Sequence, residues 1–385
     1  FYSLADATGL YSLTLPAGDY QVTLSRWGYE TTEIGSQRVV AGALSLNDFQ
    51  MLSLPQAIIS GLVKDEKGPV ANALIYAPAN PATQSRSGAD GKYQIGLPLG
   101  AGELVVEAPK HRILRQPVHT PGIGAQVNFT LKSAPSILLV DTSPLGGWFM
   151  GWPVNRIFTR ALDEQNYQYN LWRIQYSTFS DTKIGPDGST LYGLPSAATL
   201  KSYDVVIWVQ SYCGNASCSR GTVSEIGAEP ALLDFLDNGG RLFISGQDLA
   251  YADRSSTLFN GYLQAEYVSD YGGSEGRHLT SSDFLSGLDL RLLNGSLYGY
   301  ANGGFYYSPD EVAPRPGGFA FPVLTYGDAD RAAALAVAPC NATYRAVYLA
   351  AGFENLAPRA HESQPDWTRL LDASIGWLMT GSNVE

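Results

Sequence analysis

Four polar residues follow apolar runs closely enough to act together. Asp141 ends "SILLVD", Gln247 and Asp248 come just after "RLFIS", and Glu354 comes just after "YLAAGF". A short continuous apolar run is the pattern of a parallel strand buried on both faces. In an open sheet of such strands, ligands bind beyond the carboxyl ends, near the point where the strand order reverses. Three carboxylates and an amide at that place offer hard oxygen donors, the kind a hard cation takes. The competing reading makes all four strand-end turn residues and helix caps. On that reading no metal and no cofactor are expected.

Nucleophilic and soft-metal chemistry have thinner support. Ser245 lies in Phe243-Ile-Ser-Gly-Gln247, which lacks the flanking glycines of a G-x-S-x-G elbow. His361 stands beside Glu362 in a polar loop, where neighbours in sequence point apart, and His278 is the only other histidine after residue 136. His111 and His119 have no carboxylate or thiol at ligand spacing and read as surface or packing residues. HExxH, P-loop and GxGxxG motifs are absent. Cys213 and Cys218 sit in "SYCGNASCSRG", a spacing suited to a small disulfide loop, with free thiols as the alternative. Zinc would need two more soft ligands, and Cys340 is the only other thiol. A disulfide implies an oxidising, extracellular or cell-surface setting. Asn-x-Ser/Thr triplets at Asn128, Asn215, Asn294 and Asn341 agree with secretion.

The chain has 385 residues and a net charge of -11. That length predicts two or three domains. The acidity excludes nucleic acid as a partner, since neutralising phosphates takes a basic face. It also argues against docking on anionic lipid. No apolar run reaches the length of a membrane span. "FYSLADATG" has neither a basic n-region nor a long apolar core, so a signal peptide is not expected there. The chain is expected to be a piece of something longer.

The elements that must position these residues fall into two regimes. Gly9, Tyr11, Leu13 and Leu15 recur in spacing as Gly91, Tyr93, Ile95 and Leu97. Period-two alternation predicts half-buried strands at 11–15, 20–24, 93–97 and 104–106. "PAGD" and "PLGAGE" are read as the turns of two hairpins. Further strands are predicted at 57–65, 71–78, 112–120 and 125–133, which together make a small β-sandwich. The first copy has closing strands at 31–40 and 46–54 but lacks the opening pair, so it is expected to be truncated. From Ser136 the pattern changes. Buried strands are predicted at 136–140, "YNLWRI", 203–209, 241–245 and 344–351. Helices are predicted at 153–166, at 230–238, and from an N-cap at Asp366. Alternating helices and apolar strands predict a doubly wound parallel sheet. The aromatic stretch 294–310 is read as an insertion laying its rings on the sheet, with sugar stacking as the alternative.

The expected fold class is therefore multidomain: all-β transthyretin/Ig-like sandwich modules followed by an α/β doubly wound parallel sheet domain. The boundaries are 1–54 for a truncated sandwich, 55–133 for a complete one, and 134–385 for the α/β domain.

The run Asp6-Ala-Thr-Gly9-Leu-Tyr11-Ser-Leu13-Thr-Leu15-Pro16-Ala-Gly18-Asp-Tyr20 and its second copy resemble the carboxypeptidase regulatory-like β-sandwich. "ILLVD", "YDVVIW", "FLDNGGRLFISGQD", "VYLAAGFEN" and "RLLDASIGWLM", in that order, resemble the class I glutamine-amidotransferase-like (flavodoxin-like) domain of bacterial secreted subtilisin-like peptidases. The resemblance implies a fragment of a large extracellular multidomain protein, a serine peptidase. In amidotransferases a cysteine on a strained strand-to-helix turn is the nucleophile, served by a His-x-Glu pair. Here the turn reads Ser245-Gly246-Gln247-Asp248, and Gly352-Phe353-Glu354 has glycine at the histidine position. A thiolate needs a base to form and to shuttle its proton, and both partners are gone.

The expectation is a non-catalytic accessory segment whose partners are the missing N-terminal domains of the same protein, other copies of itself, or a surface polymer. One alternative is a self-assembling extracellular filament or sheath subunit. Another is a hydrolase using the strand-end carboxylates. Neither nucleic acid nor membrane insertion is expected.

Overall fold

The structure is a computed structural model that describes residues 1–122, 124–142, 155–174, 191–210, 221–272, 277–292, 309–327, 331–356 and 364–381. The fold is predominantly β, in several sheets. It divides into two compact units. One comprises Phe1–Ala108 with Ile113–Lys132, the other Pro109–Arg112 with Ser133–Glu385.

In the first unit, residues 1–54 form one hairpin, β1 (Gly18–Leu24) against β2 (Thr32–Val39). None of these 54 residues is buried. The strands predicted at 11–15 and 46–54 do not form. Instead, the Tyr11 ring stacks on Phe49 and its hydroxyl donates to the Asn47 carbonyl. An alternating run without a second sheet to cover its apolar side gains little from a ladder.

Eight strands follow: β3 (Gln56–Lys64), β4 (Leu74–Ala77), β5 (Asn80–Arg86), β6 (Lys92–Pro98), β7 (Gly100–Glu107), β8 (Leu114–Thr120) and the short β9 (Ala125–Gln126) and β10 (Phe129–Thr130). β3 pairs with β6, β9 and β10, while β5, β4, β7 and β8 form a second sheet in that order. One core lies between them, including Ile59, Val63 and Ile95 from the first sheet and Ile75, Leu104 and Val118 from the second. The predicted hairpin through "PLGAGE" is not one. β6 pairs with β3, and β7 pairs with β4 and β8, so the chain changes sheets at Leu99. Gly100, at φ 116°, supplies a backbone that L side chains rarely adopt. Tyr93, Ile95 and Leu97 then face the same core as β7, and covering that core outweighs pairing with the next strand in sequence. Gly61 lets the segment before β10 close in. A Cβ there would lie 1.8 Å from the Val127 carbonyl oxygen, which instead accepts a 2.8 Å hydrogen bond from Tyr93 Oη.

Among the described residues, the second unit holds one twelve-stranded sheet. Its first strands are β11 (Ile137–Asp141), β12 (Tyr169–Ile174), β13 (Leu191–Tyr192), β14 (Val205–Val209) and β15 (Arg241–Ser245). Then come β16 (Ala265–Asp270), β17 (His278–Ser281), β18 (Leu290–Arg291), β19 (Asp310–Pro314), β20 (Ala320–Thr325), β21 (Ala332–Val337) and β22 (Arg345–Leu349). The run β13-β12-β11-β14-β15-β22 is parallel throughout. β21 joins β22 antiparallel and carries the remaining strands as an antiparallel extension.

Among the described residues, five α-helices accompany the sheet: α1 (Asn155–Glu164), α2 (Ala197–Lys201), α3 (Glu229–Asp237), α4 (Leu249–Asp253) and α5 (Asp366–Thr380). Successive strand residues point to opposite faces. Leu139, Ile207 and Phe243 therefore pack with Phe158 of α1 and Leu371 of α5, whereas Leu138, Val206 and Ile244 pack with Leu232 and Phe235 of α3. Burial on both faces explains the unbroken apolar runs of β11 and β14.

One further detail differs from expectation. Asp366 is the first helical residue of α5, not its N-cap, which is Pro365 without a side-chain cap. Its carboxylate is engaged elsewhere, accepting from Asp289 N at 2.8 Å and from Arg369 at 2.7 Å. β21, "AAALAV", is a fully buried strand despite its good helix formers. Its place between β20 and β22 overrides intrinsic propensity. Among the described residues, no helix is long and apolar enough to cross a membrane.

Candidate functional site

The polar residues of interest gather at the carboxyl ends of the parallel strands and at the adjoining end of the antiparallel extension. Asp141 closes β11 and is buried. Its register partner on β12 is Arg173, whose Nε donates to Asp141 Oδ2 at 3.1 Å. Both side chains are sealed from solvent, so the carboxylate is neutralised where it stands.

Ser245, at the end of β15, is also buried. Its Oγ accepts the Phe353 N–H at 2.9 Å. Gln247 Oε1 accepts from Asn355 Nδ2 at 3.0 Å, and the same amide donates to the Ala351 carbonyl at 2.7 Å. These bonds tie the exit of β15 to the short helical turn Phe353–Asn355 after β22. Gly246 permits the exit of β15 to pass close to the end of β14, since a Cβ there would lie 2.4 Å from the Gln210 carbonyl oxygen. Glu354 lies within this turn, and burial pushes its carboxyl up to about 7.

Asp248 takes a different path. Its φ of 63° lies in the left-handed region that few non-glycine residues occupy. One of its carboxylate oxygens comes within 4.8 Å of one from Asp270 and one from Asp310. Asp270 ends β16 and Asp310 begins β19, directly opposite each other in the antiparallel ladder. Asp310 Oδ2 accepts from Ala250 N at 2.7 Å and Tyr251 N at 3.4 Å, while its Oδ1 is buried without a hydrogen-bond partner. Burial above all, then the charges of Asp248 and Asp270, pushes the Asp310 carboxyl up to about 8. Asp270 lies at the surface and accepts from Tyr267 Oη at 2.7 Å.

The structure thus separates the four residues singled out by sequence. Asp248 joins two aspartates that no apolar run flagged, while Asp141 and Glu354 stand outside this cluster. Asp270 ends β16 and Asp310 begins β19, forty positions apart in the chain, and only the β16–β19 register makes them neighbours. Among the described residues, no histidine is a hydrogen-bond partner of Ser245. His278 is exposed, with Nδ1 3.0 Å from Asp289 Oδ1. His119 is exposed, and His111 Nδ1 lies 2.8 Å from the Pro109 carbonyl. Asn128 and Asn341 are exposed, and Cys340 is an exposed free cysteine. Cys213, Cys218, Asn215, Asn294, His361 and most of the aromatic stretch 294–310 lie outside the described residues.

No family model matches the chain, and no curated protein matches it. Among solved structures, it is similar to 3-chlorocatechol 1,2-dioxygenase from Rhodococcus opacus 1CP at 12% identity and a TM-score of 0.18, over 21% of this chain and 61% of that one. It is similar to the mmIFT52 N-terminal domain at 14% identity and a TM-score of 0.37, over 65% of this chain and 100% of that one. It is similar to the exo-β-1,4-mannosidase Op5Man5 from Opitutaceae bacterium strain TAV5 at 15% identity and a TM-score of 0.37, over 65% of this chain and 37% of that one. The chain spans less than two thirds of the dioxygenase and of the mannosidase. Likenesses this slight assign neither a fold nor an activity.

Proposed function

We propose that this chain is a non-catalytic accessory segment, a spacer or binding part, of a secreted or cell-surface multidomain protein whose parent class is a serine peptidase. In this reading, residues 1–54 and 55–133 are carboxypeptidase regulatory-like sandwich modules, the first truncated. Residues 134–385 are an amidotransferase-like doubly wound α/β domain. Two sheets around one core support the sandwich assignment. Six parallel strands with helices on both faces support the α/β assignment.

The observation that carries the reading is the use made of Ser245. Its hydroxyl is buried and takes up the Phe353 N–H, and Gly352 stands where a catalytic base would be needed. A hydroxyl spent on holding two strand ends together, with no base among its described partners, reads as a structural group. Turnover of glutamine, ester and peptide substrates by the purified chain is expected to be absent. Turnover that disappears in Ser245→Ala would overturn the reading. Intact mass and N-terminal sequencing of the natively isolated protein test the parent: a longer polypeptide carrying a Ser/His/Asp domain is expected. Alkylation of the unreduced protein is expected to label Cys340 alone, with Cys213 and Cys218 joined.

Self-association is a second reading, favoured by one observation. Phe1, Tyr2, Leu4, Leu10, Leu44 and Leu46 are all exposed. Exposed apolar groups at this density mark interaction surfaces. Light scattering that gives a strict monomer at high concentration removes this reading.

A further inference from the structure

We propose that Asp248, Asp270 and Asp310 form a divalent-cation site of the calcium type, which ties the turn between β15 and α4 to the end of the β16–β19 ladder. The geometry is that of a small all-oxygen site. Calcium binds its oxygens at about 2.4 Å, so two ligands on opposite sides of one ion lie about 4.8 Å apart. One carboxylate oxygen from each aspartate falls within 4.8 Å of the other two.

Acidic groups often cluster at a surface without binding anything, and here a second observation separates the cases. Asp310 is fully buried, and its Oδ1 has no hydrogen-bond partner, although Oδ2 accepts two backbone N–H groups. A buried carboxyl oxygen left without a hydrogen-bond partner is costly, and such groups are normally satisfied by a donor, a proton or a metal ion. Beside it, the Tyr348 hydroxyl is also fully buried and unpartnered, and Asp310 is the largest charge acting on it. Among the described residues, neither Asp270 nor Asp310 forms an ion pair with Lys, Arg or His. Yet the ladder places these two carboxyl groups directly opposite one another, an arrangement that destabilises a sheet when both are ionised unless something neutralises them.

The donor set also selects the ion. Among the described residues the donors are three carboxylates, with no thiol or imidazole, which suits a hard cation over zinc or copper. The ligands come from three separate segments, and Asp270 opens the site to water. Calcium tolerates such an irregular shell, filled out by water and carbonyl oxygens, whereas magnesium demands a near-ideal octahedron.

The test uses the full chain stripped with EDTA, with calcium, magnesium and terbium as the probes. Calcium is expected to raise the melting temperature by several degrees. Terbium is expected to show luminescence excited through Tyr267, whose hydroxyl donates to Asp270, and calcium is expected to quench it by competition. Asp270→Asn, at the surface, keeps the fold and is expected to weaken calcium binding by about tenfold or more. Asp310→Asn is expected to weaken it at least as much, and circular dichroism checks that both variants fold. No calcium response and no terbium signal in the parent chain overturns the proposal, as does undiminished binding in Asp270→Asn. An equal response to magnesium overturns the calcium assignment.

Discussion

Arg173 and Asp141 face each other on neighbouring parallel strands, joined by a 3.1 Å hydrogen bond and closed off from solvent. A pair of this kind is strong only as a pair, because each charge has lost its water. Arg173→Met removes the charge paired with the buried carboxylate and is expected to destabilise the second unit by about 3–5 kcal/mol in urea unfolding. The double variant Asp141→Leu with Arg173→Met is expected to recover most of that loss. If the single and double variants lose equal stability, the pair is not what holds the two strand ends.

Ser245 and Phe353 make the corresponding contact on the other side of the sheet's centre. Ser245→Ala removes the acceptor and leaves the Phe353 N–H buried and unpaired. The expected cost is about 1–3 kcal/mol. Hydrogen exchange at Phe353 is expected to quicken along with it. Unchanged protection there would mean that the N–H has another partner.

Glu354 makes the second unit's stability depend on pH. Its folded value, near 7, stands above its ordinary 4.5, so the native state holds the proton more tightly than the unfolded chain. The contribution is complete below the ordinary value and is lost as pH rises through about 7. Glu354→Gln cannot ionise. It is expected to be close to the parent at acid pH and more stable in mildly alkaline solution, by an amount on the order of 3 kcal/mol. A constant difference across that range would remove Glu354 as the titrating group.

Gly61 tests the first unit. A methyl group there meets the Val127 carbonyl oxygen at 1.8 Å, and neither backbone can yield without opening the core around Tyr93 and Phe129. Gly61→Ala is expected to cost about 3 kcal/mol or more. In calorimetry it should lower the first unit's transition and leave the second where it was, since the substitution touches only one core. Movement of both transitions together would mean that the two units melt as one.

Hydrophobic period by itself determined most elements of this protein. β6 alternates because one of its faces is buried, and β11 and β14 do not alternate because both are. The change between those two patterns near Ser136 marks where the second unit takes over. Pairing was decided only in three dimensions. The "PLGAGE" turn looked like a hairpin, yet its two strands entered different sheets, because a shared core can be covered only from two sides. The runs at 11–15 and 46–54 had the alternation of strands but found no sheet to join. The candidate site divides in the same way. Asp141, Gln247, Asp248 and Glu354 were visible as strand-end polar residues. What each one does depends on neighbours distant in sequence: Arg173 for Asp141, Asn355 for Gln247, and Asp270 and Asp310 for Asp248. A carboxylate's charge is written in the chain, but whether it is paired, buried or gathered with others depends on strand register, and register is a tertiary property.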